Sequence, residues 1–493
     1  MNLYSLFLKN FNKNKQLIFD NEKITYNSFK NEIERFSSNL KSRKIKKIAI
    51  LTDNPKLIAV ALFACAKENK IIVTLNKNLL FSQINIQLKL TKPDLIIIDI
   101  DVQIKKLRYF KNYIYGKNMF KNFENKKFLT KTYSKVLNND FIITLSSGTT
   151  SVPKPIVYSQ NIKYLRFLQM KKIFKIKKGD DIFSVSPIDH SLGQRLLFLA
   201  LLNGSNFIYL SKYNLKSIKK LSSKFNFSFT CLPSNYLQLL KKNLLNKSVI
   251  IKKIVSAAST LTDNDKRILI NKGINLYEMY GAAEIGTVTS INFKKNKSFI
   301  KSVGKILKNI DIKIISEKNE FLNYGSIGEI VCKTPLRFKY YYNNPKLTKK
   351  SFVRNYFKTG DIGKLDNKKN LYFLSRKQDV IISSGKNIYP IDIEKELLKL
   401  KYINDAAVIG LKDKFFGEIA FAVCVTSYKK KNIQVKIKND LSTTISRFQI
   451  PLGFSFVKKI PKNNLGKVQK YLLRKKYNEK KYDFTKSLRK ILN

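Results

Sequence analysis

Apolar and polar positions along this chain follow two periods, and the changes from one to the other mark its elements. The stretch 16–26, QLIFDNEKITY, holds two short β-like runs around Asp20-Asn21 and predicts a hairpin. It leads into apolar residues at Phe29, Ile33, Phe36 and Leu40, the spacing of one helix face. Strand-like runs at 48–51, 71–75 and 95–98 then alternate with helical patterns at 57–66 and 83–90. Such alternation predicts βαβ units and a parallel sheet covered on both faces. Residues 101–140, rich in lysine and asparagine with weak periodicity, read as a connector to an apolar run at 141–145. A helix at 161–173, a strand at 181–186, a helix at 196–202 and a strand at 207–210 follow. Over 302–366 the pattern turns to short β segments punctuated by Gly304, Gly325 and Gly328, which suits a small barrel or sandwich. From residue 380 a separate pattern begins, with helices at 390–400 and 435–446 and strands at 381–382, 406–409, 419–425 and 454–457: a small α+β domain. The whole is an α/β protein with a large N-terminal domain of parallel sheets covered by helices, a small β-barrel subdomain and an α+β C-terminal domain.

Composition changes this picture in three ways. Hydrophobic residues make up 44% and aromatics 12% of the 493 residues, so the chain is globular despite its many charges. The net charge of +61 would suit nucleic acid or a membrane surface if the basic residues were grouped, but lysine pairs recur from Lys46-Lys47 to Lys480-Lys481. An even spread of that kind, with abundant Lys, Asn and Ile and no Trp, reads as compositional drift; the charge still attracts polyanions and anionic membrane surfaces without specificity at low salt. Cys65, Cys231, Cys332 and Cys424 are isolated, which excludes CxxC metal and dithiol motifs and fits a reduced cytoplasmic compartment. The apolar run near the start is too short for a signal peptide, and the longest apolar segment is half a membrane span. With His190 the one histidine, no multi-histidine metal site can be built.

The polar interruptions carry the candidate chemistry. The run at 141–145 stops at Ser146-Ser147-Gly148-Thr149-Thr150-Ser151, with Lys154 just beyond. Backbone N–H groups and hydroxyls at a strand end, backed by a lysine, suit a phosphate cradle, although a plain polar turn has the same composition. One glycine, and no Ser or Thr after the lysine, exclude the GxxxxGK[ST] loop. His190 stands beside Asp189 and three residues before Gly193; a lone histidine is by itself more often structural than catalytic. Tyr280-Gly281 lead to Glu284, and Thr359-Gly360 lead to Asp361, a carboxylate on a turn able to accept from two vicinal hydroxyls. A lysine in so basic a chain is by default a solvated charge, so Lys467 stands out only through Pro461 and Gly466 before it.

In chain order, SSGTTSVPK, PIDHSLG, YGAAE, TGD, SRKQD, GKNIYP and PKNNLGK resemble the motifs of the AMP-forming adenylating enzymes, the superfamily of acyl-CoA synthetases, adenylation domains and luciferases. The resemblance covers nearly the whole chain. It implies an N-terminal AMP-binding domain over 1–375, a hinge at 376–379 around Gln378, and a mobile C-terminal domain over 380–493. It implies activation of a carboxylic acid by ATP to acyl-AMP, with Mg2+, followed by transfer to a thiol, coenzyme A. Ser146, Ser147, Gly148, Thr149, Thr150 and Lys154 would bind the leaving phosphates, with Thr149 counted among the catalytic residues. Ala258, Tyr280 and Gly281 would frame the adenine, Tyr280 by stacking, and Asp361 and Arg376 would hold the ribose. Glu284 would hold magnesium, Asp189, His190 and Gly193 would line the acyl pocket, Lys467 would neutralise charge between carboxylate and α-phosphate, and Gly385 would reach the site for thiolation.

Several residues depart from the usual pattern: Ser151 and Pro155 replace loop glycines, Ala257 and Ala258 replace a glycine pair, and Ala283 replaces a threonine that usually faces the nucleotide phosphate. Asp392 stands for glutamate, and Gln378 for Asp or Lys at the hinge. Two alternatives stay open. Asp189 beside His190 suits an amino-acid or aryl-acid adenylating enzyme that loads a carrier protein, and the departures suit a nucleotide-binding paralogue of low activity. Fatty acid metabolism is the expected setting, with no specific nucleic-acid partner.

Overall fold

The structure, a computed structural model, describes residues 1–43, 45–99, 113–120, 137–145, 153–257, 261–428, 432–463 and 466–478. Its contacts divide the chain into two compact units: 1–300 with 307–310 and 333–355, and 301–306 with 311–332 and 356–493.

The first unit is built on two sheets. One runs in the order Tyr113–Tyr115, Leu95–Ile98, Lys47–Leu51, Ile71–Thr74, Asp140–Leu145, Pro155–Ser159, parallel except for the last pair. The other runs Gly286–Asn292, Leu276–Ala282, Ile254–Ala257, Phe227–Pro233, Asp181–Ser184, Phe207–Tyr209, Gln16–Phe19, Glu22–Thr25, parallel except for its two edge hairpins. The expected hairpin is there, with Asp20 at φ +56° in its turn. The expected βαβ alternation is there too. One correction falls in the connector, where Tyr113–Tyr115 adds an edge strand to Leu95–Ile98; three residues are too few to show a period. The rest of 101–136, apart from 113–120, lies outside the described residues.

Helix Pro55–Lys67 is buried all along from Leu57 to Ala66, and helix Ser191–Asn203 from Leu196 to Asn203. A helix apolar all round needs neighbours on every side. Phe63 and Phe198 meet across these two helices at 5.6 Å between ring centroids. The apolar run at the start is also core: helix Leu3–Lys9 buries Leu3, Tyr4, Leu6 and Phe7.

The second unit contains a sheet in the order Asp311–Ile315, Gly328–Lys333, Tyr356–Leu365, Leu371–Arg376. Register shifts between Glu329 and Val331 and between Ile362 and Gly363 curl it, giving the small β subdomain expected from its glycine punctuation. Beyond it, the long hairpin Ile403–Asp413 and Gly417–Thr426 is buried on both faces. Ala406, Val408, Ala420, Ala422 and Cys424 face helices Pro390–Leu397 and Ile433–Ser442. Ala407, Ile409, Phe421 and Val423 face Leu473 and Tyr477 of helix Lys470–Asn478. A strand buried twice over reads as a continuous apolar run, as AAVIGL and IAFAVCV do.

All four cysteines are unpaired and buried. Burial raises every thiol, those of Cys231, Cys332 and Cys424 to about 12. No helix among the described residues is long and apolar enough to cross a membrane.

Candidate active site

In the first unit, Lys154 immediately precedes strand Pro155–Ser159. Its ammonium lies 5.7 Å from the ring centroid of Tyr341, whose hydroxyl donates to Glu284 Oε1 at 2.9 Å. Burial, then the charge of Glu284, raises the Tyr341 hydroxyl pKa, so it stays a donor across the neutral range. Its backbone is fixed as well, by a bridge to Ile156 and by its N–H donating to Thr348 Oγ1 at 3.0 Å. One buried tyrosine thus links the lysine after the loop to Glu284.

Glu284 sits on the turn between Leu276–Ala282 and Gly286–Asn292, whose register shifts between Tyr280 and Gly281. A Cβ on Gly281 would lie 1.9 Å from the carbonyl oxygen of Gly286, and Gly286 itself has φ +75°, so the turn closes only with glycine at both ends. Its carbonyls are held from outside. The Tyr158 hydroxyl donates to Ala283 O at 2.9 Å, and Arg166 Nη2 donates to Ala283 O at 2.9 Å, Glu284 O at 3.3 Å and Leu336 O at 2.8 Å. Tyr280 is half-buried opposite Thr289.

His190 caps helix Ser191–Asn203, and a Cβ on Gly193 would lie 2.1 Å from Pro187 O, so the turn before His190 rests directly on the helix. The turn is also tied to the strand Ile71–Thr74, because Thr74 Oγ1 donates to Asp189 O at 2.9 Å. His190 Nε2 stands 3.4 Å from Asn76 Nδ2 and 3.8 Å from Asp189 Oδ2. The structure therefore gathers Asp189 and His190 on one turn that rests against Gly193 in the first turn of the helix, and Lys154 with Glu284 around Tyr341.

Magnesium draws most of its ligands from phosphate and water, so one protein carboxylate suffices to orient it. Among the described residues no group of three ligating side chains occurs, and Glu284, one carboxylate oriented by Tyr341, fits that limited demand.

The second unit brings Asp361, Arg376 and Lys467 together. Asp361 and Arg376 are register partners on Tyr356–Leu365 and Leu371–Arg376, and Arg376 Nε meets Asp361 Oδ1 at 2.9 Å. Lys467 stands on a small turn, where Gly466 has φ +74°, Asn463 Oδ1 accepts from Lys467 N at 2.9 Å, and Lys462 bridges Val468. Desolvation first and the Arg376 charge second push the Lys467 ammonium down to about 8, against the pull of Asp361 and Asp379. Gln378 is exposed on a single 3-10 turn between two ion pairs, Lys377 with Glu329 at 2.9 Å and Asp379 with Arg474 at 2.7 Å. Gly385 lies at an exposed hairpin tip, where Ser384 and Gly385 both have positive φ and a Cβ on Gly385 would meet nothing within 4 Å.

Ser146, Ser147, Gly148, Thr149, Thr150 and Ala258 lie outside the described residues. Tyr341 lies in the run Tyr341-Tyr342-Asn343-Asn344-Pro345, which also resembles the superfamily but by itself gives the residue no role, and Arg166 belongs to no motif.

If the charged form of Lys467 is the working one, its lowered pKa sets an alkaline limb. The ammonium is present below about pH 8 and lost above it, so kcat/KM for the first half-reaction should be flat up to that point and fall about tenfold per unit beyond. Lys467→Arg, with an always-charged guanidinium, should move that limb upward whatever it does to the rate. A pH–rate profile of pyrophosphate release, unchanged between the two proteins, would assign the limb elsewhere.

Two layered sheets followed by an α+β unit, with a carboxylate turn and a lysine turn, define a nucleotide-dependent class of α/β enzyme. The family model described as AMP-binding enzyme matches residues 8–342, and the AMP-binding enzyme C-terminal domain matches 392–467. The chain belongs to the AMP-binding enzyme family. It is 24% identical over 467 residues to the 2-succinylbenzoate–CoA ligase of Listeria innocua, covering 94% of this chain and 96% of that one. It is 24% identical over 345 residues to the long-chain-fatty-acid–CoA ligase FadD13 of Mycobacterium tuberculosis, covering 69% and 68%. Among solved structures, o-succinylbenzoate CoA synthetase from Bacillus subtilis with its acyl-adenylate intermediate superposes with TM-score 0.88 at 22% identity, over 96% of this chain and 98% of that one. ATP-bound MatB from Rhodopseudomonas palustris also gives 0.88 at 22% identity, over 97% and 99%.

Proposed function

We propose that this protein is an AMP-forming acid:CoA ligase that uses ATP and Mg2+ to convert a carboxylic acid to acyl-AMP and then passes the acyl group to the thiol of coenzyme A. The observation that carries the reading is the cluster of Asp361, Arg376 and Lys467, a ribose-type carboxylate beside a desolvated lysine. The names of the relatives, ligases of CoA with 2-succinylbenzoate and with long-chain fatty acids, support the same reaction class. They differ in the acid, so fatty acid metabolism is one setting among those that fit. Reduced, unpaired cysteines support a cytoplasmic location.

In the first half-reaction the substrate carboxylate oxygen attacks the α-phosphorus, a P–O bond to pyrophosphate breaks, and little proton transfer is needed. Charge neutralisation and positioning carry such a step. Lys467 neutralises the approaching anions, Asp361 accepts from ribose hydroxyls with Arg376 beside it, and Tyr280 and Gly281 form the adenine wall. Lys154 and the hydroxyls of 146–150 bind the departing phosphates, and Glu284, oriented by Tyr341, would hold a magnesium ion, which when bound would supply charge neutralisation there. In the second half-reaction the thiolate of CoA attacks the acyl carbonyl and AMP leaves. Gln378 serves as the hinge between a domain over 1–375 and one over 380–493, and Gly385 serves the thiolation state.

Pyrophosphate exchange over a panel of fatty, aromatic and amino acids tests this. Acid-dependent exchange, followed by CoA-dependent AMP release, is the expected result. Exchange with amino acids and no AMP release with CoA would point to a carrier-protein acceptor, and no exchange with any acid while ATP still binds would leave a nucleotide-binding paralogue.

A further inference from the structure

Helix Gln160–Ile173 turns two cations inward: Lys163 is 4% and Arg166 3% exposed. Helix Ser191–Asn203 adds Arg195, half-buried as a residue but with its Nε out of reach of solvent. Together with Phe167, Ser191 and Phe198 they line one cavity of the first unit, with room for a single water-sized species. Three polar atoms of these lining residues are buried and have no hydrogen-bond partner among the described residues: Arg166 Nη1, Arg195 Nε and Ser191 Oγ. The bonds that the three cations do make run to neutral acceptors. Arg166 donates from Nε and Nη2 to Leu336 O, and from Nη2 to Ala283 O and Glu284 O. Arg195 Nη1 donates to Thr287 Oγ1 at 2.7 Å, and Lys163 Nζ to Gln194 Oε1 at 2.8 Å.

Charge decides what fills the space. None of the three cations forms an ion pair with a carboxylate among the described residues. The nearby acid, Glu284, accepts from the Tyr341 hydroxyl instead. Tyr158 stays a phenol and Cys231 a thiol, because burial raises both, the thiol to about 12. Desolvation first, then the neighbouring cations, pushes Lys163 well below the usual lysine range and Arg195 to about 10, so two guanidinium charges remain at neutral pH even where Lys163 is neutral. A water can accept from two of the orphan donors but brings no charge, and a buried charge left unpaired costs more than an unmade neutral hydrogen bond. A monatomic anion accepts from every donor around it and supplies the missing charge. Carboxylates, phosphate and sulfate are too large for the space. We propose that this cavity binds a chloride ion between Arg166, Arg195 and Ser191, and that the ion neutralises the two guanidiniums that hold the Glu284 turn and the strand leaving it. The site needs no substrate and so does not rest on the ligase reading.

Crystals grown free of chloride and transferred to sodium bromide test the site directly, since bromide is a halide of similar size with an anomalous signal. A bromide peak is expected in the cavity, within hydrogen-bonding reach of Arg166 Nη1 and Arg195 Nε; peaks at surface lysines do not count. In solution, thermal unfolding of the full chain is followed at constant ionic strength as sodium gluconate is replaced by sodium chloride. The wild-type midpoint should rise with the logarithm of chloride concentration once the site fills, because a ligand bound only by the folded state stabilises it by mass action. Bromide should act alike, and acetate, which the cavity cannot hold, should match gluconate. Arg195→Gln should lose the rise, and Arg195→Lys should keep part of it. If a variant fails to fold, the two wild-type measurements decide. A cavity holding water alone, or a bromide peak with no rise in solution, overturns the inference. A rise of equal size in Arg195→Gln marks screening of surface charge and also overturns it. None of these readouts uses turnover, so failure here leaves the ligase reading standing, and failure of that reading leaves this site standing.

Discussion

Lys467→Ala is expected to slow acyl-AMP formation on the order of 10²–10³-fold, the usual loss when one preorganised charge aimed at the reacting centre is removed. Transfer from supplied acyl-AMP to CoA should stay within a few-fold of wild type. The asymmetry follows from the chemistry of the halves. Adenylation brings a carboxylate up to a polyphosphate, two anions whose repulsion a half-buried ammonium relieves. Thioester formation starts from acyl-AMP, in which the carboxylate charge is gone and the phosphate keeps a single one, so there is less repulsion for a cation to relieve. The Lys467 turn is held by bonds that do not use the lysine side chain, from Lys467 N to the side-chain oxygen Asn463 Oδ1 at 2.9 Å and from Gly466 N to Asn463 O at 2.8 Å, so loss of that side chain leaves its shape intact. Single-turnover measurement of each half-reaction checks this, and equal losses in both would assign Lys467 a structural role.

The second large effect is expected at Gly281. A methyl group there meets the Gly286 carbonyl at 1.9 Å, a backbone atom that cannot swing aside. The hairpin must open, at a cost on the order of 1–3 kcal/mol, and the turn that carries Glu284 must shift with it. Since a displacement near 1 Å costs about 10²-fold when positioning carries the chemistry, Gly281→Ala should remain folded yet be nearly inactive. Gly273→Ala is the control: Gly273 has a positive φ, +80°, which Gly281 lacks, but its Cβ would meet nothing within 4 Å, so it measures backbone strain without a close contact. Thermal unfolding with pyrophosphate release separates the two, and a Gly281→Ala protein of wild-type rate would mean that Glu284 tolerates the shift.

Much of the architecture was legible because burial imposes a period. The helix face Phe29, Ile33, Phe36, Leu40 and the parallel strands were read within a few residues of their bounds. Helix Lys470–Asn478 was missed: only Leu473 and Tyr477 of its nine residues are buried, and two apolar positions amid lysines make no stripe. The site divided similarly. Motifs with a fixed spacing, such as TGD and PKNNLGK, could be read from the sequence. Lys163, Arg166 and Arg195 could not, since in a chain with 95 Lys and Arg a cation pointing inward looks like every other cation. The one local signal was Lys163 and Arg166 sharing a helix face with Phe167 and Met170, all four buried on that helix.

The four cysteines acquire a second meaning if the acceptor is a thiol. A protein that handles coenzyme A at high local concentration risks mixed disulfides with its own substrate, and exchange requires an accessible thiolate. Here every thiol is buried and held protonated far above neutrality, two in each compact unit: Cys65 and Cys231, Cys332 and Cys424. The folded enzyme is therefore chemically silent toward its substrate's sulfur and toward thiol reagents alike. Each cysteine becomes reactive only when its own unit opens, so alkylation over time is a built-in clock that reads the unfolding of the two units separately.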